Sequence, residues 1–260
     1  MKVALGQFPL IWEDIEGNLG AWSERLGQLE SDIDLIILPE MFTTGFSMEV
    51  DELAESMDGK ALHWMKTQAE NLSAAILGSI ICRDGESVHN RAVLVKPDGS
   101  IEHYNKRHLF TFAGEDKHFT AGTDRLIIDL NGWKICPLVC YDLRFPVWSR
   151  NSNDPEKQYD LLIYVANWPA ARSSAWSSLL NGRAHENQAF VVGVNRVGSD
   201  GKGIEYSGDS AVIDPKGNML AIGKPSEEGW VIADLNRDEL LDYRDKFRAL
   251  NDADEFELKP

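Results

Sequence analysis

Two spacings of apolar side chains alternate along the chain. Short continuous apolar runs, the pattern of strands buried on both faces, occupy residues 34–39, 74–81, 160–166 and 189–195, and residues 2–8 and 229–235 also read as strands. Between them Leu19, Trp22, Leu26 and Leu29 recur at helical spacing, which predicts a helix over 18–30. Helices are likewise predicted over 61–72, 173–186 and 238–250, and one is expected to begin within 142–150.

Turn signals join several of the strands. Pro97-Asp98-Gly99 separates the two strands of a hairpin, 92–95 and 101–104, Asn131-Gly132 separates 125–130 from 133–139, and Asp214-Pro215-Lys216-Gly217 separates 211–213 from 219–222. Asn-Gly between alternating strands is a strong short hairpin signal. The stretch 92–99 is echoed at 211–217, which hints at two similar halves, each of strand–helix units plus a hairpin. No Pro/Ser-rich linker or low-complexity tract interrupts the chain. The expectation is an α/β protein of one domain over residues 1–260, with two packed layers of sheet and helices outside. Polar segments 151–158 and 251–260 are expected to be surface loops.

Composition narrows the partners. The 260 residues are 43% hydrophobic, which supplies a sizeable core, and the formal charge is −16. That charge argues against nucleic acid or anionic lipid, which need clustered cations. It leaves room for a small anionic substrate in a locally basic pocket. Three cysteines, Cys82, Cys136 and Cys140, are too few and too odd for a disulfide framework and suggest a reducing compartment. With no signal-peptide pattern and no run approaching ~18 apolar residues, the expected location is cytoplasmic.

Several familiar chemistries are missing. There is no Gly-x-Ser-x-Gly, the helix pattern starting at His185-Glu186 lacks a second histidine for zinc, and the histidines do not combine with cysteines at metal-ligand spacing. The glycine-rich run 198–203 does not match a phosphate loop and reads as a flexible surface loop. Three segments remain in which reactive residues follow a strand at once, the place where α/β folds build sites. They are Leu38-Pro39-Glu40, Asn105-Lys106-Arg107 and Val139-Cys140-Tyr141-Asp142. Cys140 opens a predicted helix, whose N-terminus would favour the thiolate. Partial burial would hold Glu40 near a pH at which it both takes and gives a proton. Lys106 is a cation available to an oxyanion. Each residue also has a plain reading: a structural cysteine, a solvated loop carboxylate, a solvated lysine on a basic turn. Cys82 and Cys136, inside apolar strands, read as core. Together the three segments suggest attack of a thiolate on a carbonyl carbon.

This set resembles the nitrilase, or carbon–nitrogen hydrolase, superfamily. Leu38-Pro39-Glu40, Asn105-Lys106-Arg107 and Val139-Cys140-Tyr141-Asp142-Leu143-Arg144-Phe145-Pro146 match it in order and approximate interval, and the likeness runs from Val3 to Leu235. The resemblance implies a four-layer α-β-β-α sandwich and the catalytic residues Glu40, Lys106 and Cys140. It also implies a second glutamate between lysine and cysteine, here Glu115, with Asp116 adjacent. Homodimers or larger homo-oligomers packed near the cysteine helix are implied too, and no cofactor or metal is called for.

Within the superfamily the chain is most similar to omega-amidases, through residues 41–48, Asn167-Trp168-Pro169, residues 183–188 and residues 195–198. The substrate implied is a small oxo-diacid monoamide, 2-oxoglutaramate or 2-oxosuccinamate, cleaved to the acid and ammonia through a cysteine thioester. The Tyr141 backbone N–H would join Lys106 at the oxyanion. Arg144 and Arg172 are candidates for the distal carboxylate, since a guanidinium fork binds both oxygens, and Phe42, Phe46 and Trp168 for the pocket wall. The alternatives are an amidase or N-carbamoyl hydrolase acting on another small substrate, and a catalytically silent binding module.

Overall fold

The computed structural model describes residues 1–29, 32–254 and 256–258. In chain order the elements are β1 (Lys2–Gln7), α1 (Ile15–Leu26), β2 (Leu35–Ile37), α2 (Val50–Leu53), α3 (Lys60–Leu72), β3 (Ala75–Asp84), β4 (Ser87–Val95), β5 (Ile101–Asn105), β6 (Ile128–Leu130), β7 (Trp133–Val139), α4 (Pro146–Ser149), β8 (Leu161–Ala166), α5 (Ser173–Asn187), β9 (Phe190–Asn195), β10 (Val197–Ser199), β11 (Glu205–Ser207), β12 (Ala211–Ile213), β13 (Met219–Ile222), β14 (Gly229–Asp234) and α6 (Arg237–Lys246).

The strands form two six-stranded sheets, ordered β14-β1-β2-β3-β4-β5 and β13-β12-β9-β8-β7-β6, beside a small β10–β11 ribbon. In the first, β1, β2 and β3 run parallel and β4 and β5 return antiparallel. In the second, β7, β8 and β9 run parallel and β12 and β13 return antiparallel. The halves hinted at by the repeated turn therefore share one topology. Strand periodicity sorts the layers. Val3, Leu5, Leu35, Ile37, Ala75 and Leu77 face the second sheet in one core cluster. Their alternates Ala4, Ile36 and Ile76 pack outward on Leu19, Trp22 and Leu26 of α1 and Ala61, Leu62, Met65 and Ala69 of α3. On the far side, Trp176, Leu180 and Ala184 of α5 cover the second sheet. The result is an α-β-β-α stack.

Some element bounds differ from the sequence reading. Helix α1 starts at Ile15 because the Asp14 side chain accepts from the Gly17 N–H and caps it. It ends at Leu26, short of Leu29, and residue 30 lies outside the described residues. The helix expected within 142–150 is broken. A five-residue 3₁₀ turn, Cys140–Arg144, is followed by α4, because Pro146 has no N–H to continue the first turn and instead starts the next. Helix α6 ends at Lys246, and a separate 3₁₀ turn covers Ala249–Asp252. Residues 255, 259 and 260 of the expected C-terminal loop lie outside the described residues. Asn131 and Gly132 both take positive φ, as the hairpin signal required. Among the described residues no helix is long and apolar enough to cross a membrane.

Candidate active site

The ends of β2, β5, β7 and β8 converge. Glu40 follows β2 through Leu38-Pro39 and is fully buried. Its Oε1 accepts from Lys106 Nζ at 2.8 Å and from Asn90 Nδ2 at 2.7 Å, and its Oε2 accepts from the Asn167 backbone N–H at 2.9 Å. Lys106, the first residue after β5, is buried and also donates to both oxygens of Glu115, at 3.0 and 2.9 Å. Glu115 is buried, fixed by the Phe110 N–H at 2.5 Å and by Asn90 Nδ2 at 3.1 Å. The solvated readings of Glu40 and Lys106 are thus set aside, and Glu40 is wholly rather than partly buried.

Cys140 follows β7 with φ of +44°, a left-handed conformation that turns its side chain out of the strand line. Sγ donates to the Asn167 carbonyl oxygen at 3.9 Å and lies within electrostatic reach of the Glu40 carboxylate. The elbow is held by Asp142, whose buried carboxylate accepts from the Val139 N–H at 3.0 Å, Tyr104 OH at 2.8 Å, and the His108 backbone N–H at 3.0 Å, with His108 Nδ1 at 2.8 Å.

The charge balance corrects one expectation. Burial, then the charge of Glu40, push the Cys140 thiol well above its ordinary range, and Lys106 only partly opposes them. The helix N-terminus expected to favour a thiolate is the short 3₁₀ turn, too brief to supply a substantial dipole. The resting cysteine is a neutral thiol. Burial would lower the Lys106 ammonium, but Glu115 and Glu40 outweigh it and hold the lysine charged. Burial raises Glu115, with Lys106 opposing and the charge of Glu40 adding to the rise. Burial also pushes Cys136 up to about 12 and raises Cys82, and all three thiols are free.

Cys140, 9% exposed, opens into a cavity of about 470 Å³, a size suited to a small molecule. Lys106, Phe46, Tyr141, Arg144, Asn167, Trp168 and Arg172 line it. Trp168 is anchored by its backbone N–H to Asn195 Oδ1 at 2.8 Å and by Nε1 to the Arg172 carbonyl at 2.8 Å. Arg144 stacks over Trp168 and Arg172 over Phe110 and Phe112, and neither guanidinium has a carboxylate partner among the described residues. Phe42 is a correction. Its side chain packs against Trp64 and Gly78 in the core under α3 and does not reach the cavity, because β2 has handed that side of the chain to the helix layer.

The run 198–203 is a second correction. It lies at the surface but holds the end of β10 and the turn into β11, and Asp200 and Lys202, with Ile204 and Tyr206 beyond them, form a cavity wall. Asp200 organises it, accepting from the Lys202 and Ile204 N–H groups at 2.8 and 2.9 Å and from Tyr206 OH at 2.9 Å. Glycine content alone reads as a loop; the signal available was the Asp-Gly-Lys-Gly turn between Val197 and Tyr206. Sequence reading also missed Ser79, inside the apolar part of β3, and Asn90, in the polar first half of β4. Among the described residues no group of three or more His, Cys, Asp or Glu side chains is arranged to hold a metal ion.

A buried cysteine–glutamate–lysine centre between two stacked sheets defines a class. The chain belongs to the carbon–nitrogen hydrolase family, whose model matches residues 2–245, and its four-layer sandwich is of the nitrilase type. Among named relatives it is 48% identical to the omega-amidase YafV of Escherichia coli K12, over 99% of this chain and 98% of that protein. It is 36% identical to a 2-oxoglutaramate amidase of Bacillus subtilis, over 84% of each. The crystal structure of XC1258 from Xanthomonas campestris, a superfamily member with an arsenic adduct in its active site, superposes with a TM-score of 0.97 at 44% identity, covering 100% and 99% of the two chains.

Proposed function

We propose that this hydrolase cleaves the terminal carboxamide of a small oxo-diacid monoamide, 2-oxoglutaramate or 2-oxosuccinamate, to the acid and ammonia. The observation that carries this is the buried thiol–carboxylate–ammonium cluster opening into a cavity rimmed by two guanidiniums without carboxylate partners. The names of the two relatives support the substrate.

In this reading Glu40 takes the thiol proton as Cys140 Sγ bonds to the amide carbonyl carbon and the carbonyl electron pair moves onto oxygen. Lys106 and the Tyr141 backbone N–H hold that oxyanion. Lys106 has three N–H groups, and one stays free when one serves Glu40 and Glu115 shares another across its two oxygens. Collapse returns the electron pair, the nitrogen takes the proton from Glu40, and ammonia leaves a thioester. Water then gives a proton to Glu40 and attacks the thioester, and the departing sulfur recovers the proton. Splitting one hydrolysis into two acyl transfers requires no cofactor. Glu115 orients Lys106. Arg144 and Arg172 receive the distal carboxylate, and Phe46 and Trp168 the carbon chain.

The reading further takes residues 1–260 as one carbon–nitrogen hydrolase domain, a homodimer or larger homo-oligomer, working in the cytoplasm where its free thiols persist. The test is ammonia release across 2-oxoglutaramate, 2-oxosuccinamate, neutral amides, N-carbamoyl amino acids and nitriles. Wild type should release ammonia fastest from the two oxo-diacid monoamides, and Cys140→Ala from none. Preference for a neutral amide or a carbamoyl compound would overturn the substrate assignment.

A further inference from the structure

Asn90 stands in β4, fully buried, between the buried polar residues His89 and Arg91 and just before the apolar end of the strand. Its hydrogen bonds run in one direction only. The Met41 backbone N–H donates to Ser79 Oγ at 2.8 Å, and Ser79 Oγ donates to Asn90 Oδ1 at 2.9 Å. The amide is thereby fixed with nitrogen toward the site, because a hydroxyl that accepts from the backbone has its proton free for the asparagine oxygen. Asn90 Nδ2 then gives one proton to Glu40 Oε1 and the other to Glu115 Oε1. Its own backbone carbonyl accepts from the Lys106 N–H at 2.9 Å, so the same residue registers the lysine.

The two oxygens of Glu40 are therefore unequal. Oε1 receives two donors, one of them a charged ammonium. Oε2 receives one, the Asn167 N–H. An oxygen already accepting from an amide and an ammonium is the poorer proton carrier. We propose that Asn90 is a positioning residue that assigns the two oxygens of Glu40 different tasks, keeping Oε1 as charge facing Lys106 and leaving Oε2 to carry the proton between Cys140, the leaving nitrogen and the incoming water. This rests on Glu40 acting as the base in the amidase reading. The groups that face the Glu40–Glu115 pair are Lys106 from the end of β5 and Cys140 from the elbow after β7.

Two full-length variants test it, Asn90→Asp and Ser79→Ala. Asn90→Asp replaces two donors with acceptors, so the carboxylates lose hydrogen bonds to their charged forms and protonate at higher pH. Its kcat should fall on the order of 10²-fold, within the range of misplaced acid–base catalysis, with KM nearly unchanged. The acid limb of kcat/KM should move up by about one pH unit. Ser79→Ala keeps Asn90 but frees its amide to turn, and should shift the limb the same way by a smaller amount. An acid limb at the wild-type position in Ser79→Ala, or activity lost only in proportion to a lowered melting temperature, would overturn the assignment, whether or not Asn90→Asp folds. Alkylation of Cys140 by iodoacetamide, followed by intact mass against pH, separates this from the substrate question. If wild type does not hydrolyse 2-oxoglutaramate, slower alkylation with an upward-moved inflection in both variants still supports the role of Asn90, and unchanged alkylation refutes it.

Discussion

The charges around Cys140 set what the nucleophile can be at rest. Two carboxylates share one ammonium in a dry site, so a thiolate would add a second uncompensated negative charge. In the proposed reaction the sulfur becomes an anion only as substrate arrives and negative charge can move onto the oxyanion. Glu115→Gln tests this sign. The charge of Glu115 helps raise the thiol, so removing it increases the thiolate fraction at a given pH. Iodoacetamide alkylation of Cys140 should then accelerate and its inflection move to lower pH, while turnover falls on the order of 10²-fold because Lys106 loses an orienting partner. Alkylation and turnover falling together would contradict the charge balance. Glu40 and Cys140 were legible because each follows an apolar run at a strand end, and Lys106 because it completes the set with them. Asn90 and Ser79 were not, since one polar residue inside a strand looks the same whether it satisfies a local backbone group or braces a catalytic pair. Burial is also what a sequence hides: it reversed the expected state of the thiol without changing which residue it is.

The elbow after β7 depends on a bolt outside the reacting groups. A non-glycine residue at φ of +44° costs of order 1–3 kcal/mol and persists only where its surroundings overdetermine it. Here Asp142 does so, joining the elbow to Tyr104 at the end of β5 and to His108 beyond Lys106. The element that presents the lysine and the element that presents the cysteine are thus tied through one carboxylate. Asp142→Asn keeps the shape but turns one acceptor into a donor facing donors. Such a buried mismatch costs about 1–3 kcal/mol, a melting-point drop of roughly 2–12 °C for a chain of this size. Differential scanning calorimetry should show that drop, and kcat should fall further than KM rises as the elbow loosens. The apolar strands, the hairpin turns and helix α5 followed from periodicity and turn chemistry. The 3₁₀ turn Cys140–Arg144 and the place of the β10–β11 ribbon on the cavity wall did not, because Asp142 is held by Tyr104 and His108 from a distant segment and a cavity wall is a tertiary relation.

The repeated topology explains why the site forms only in the complete sandwich. Glu40 follows β2 and Asn167 follows β8, the corresponding central strands of the two sheets, and these two residues hydrogen-bond to each other twice. Lys106 and Glu115 belong to the first half of the chain, Cys140 to the start of the second sheet. Neither sheet alone holds both the proposed base and the proposed nucleophile. The formal net charge of −16 fits the same plan, since Arg144 and Arg172 stand beside the cavity despite the acidic excess of the chain. If stability is shared this way, weakening the plane between the sheets should lower stability without altering chemistry in the folded population. Leu5 of β1 is fully buried in that plane, on a strand that carries none of the reacting groups. Leu5→Ala should cost about 2–5 kcal/mol, moving the urea midpoint down while leaving kcat and KM at wild-type values under native conditions. In wild type and variant alike, the loss of turnover in urea should coincide with the loss of far-ultraviolet circular dichroism. Activity that vanished at clearly lower urea than the secondary structure would mean that the site opens independently of the sandwich, and the two-sheet account would fail.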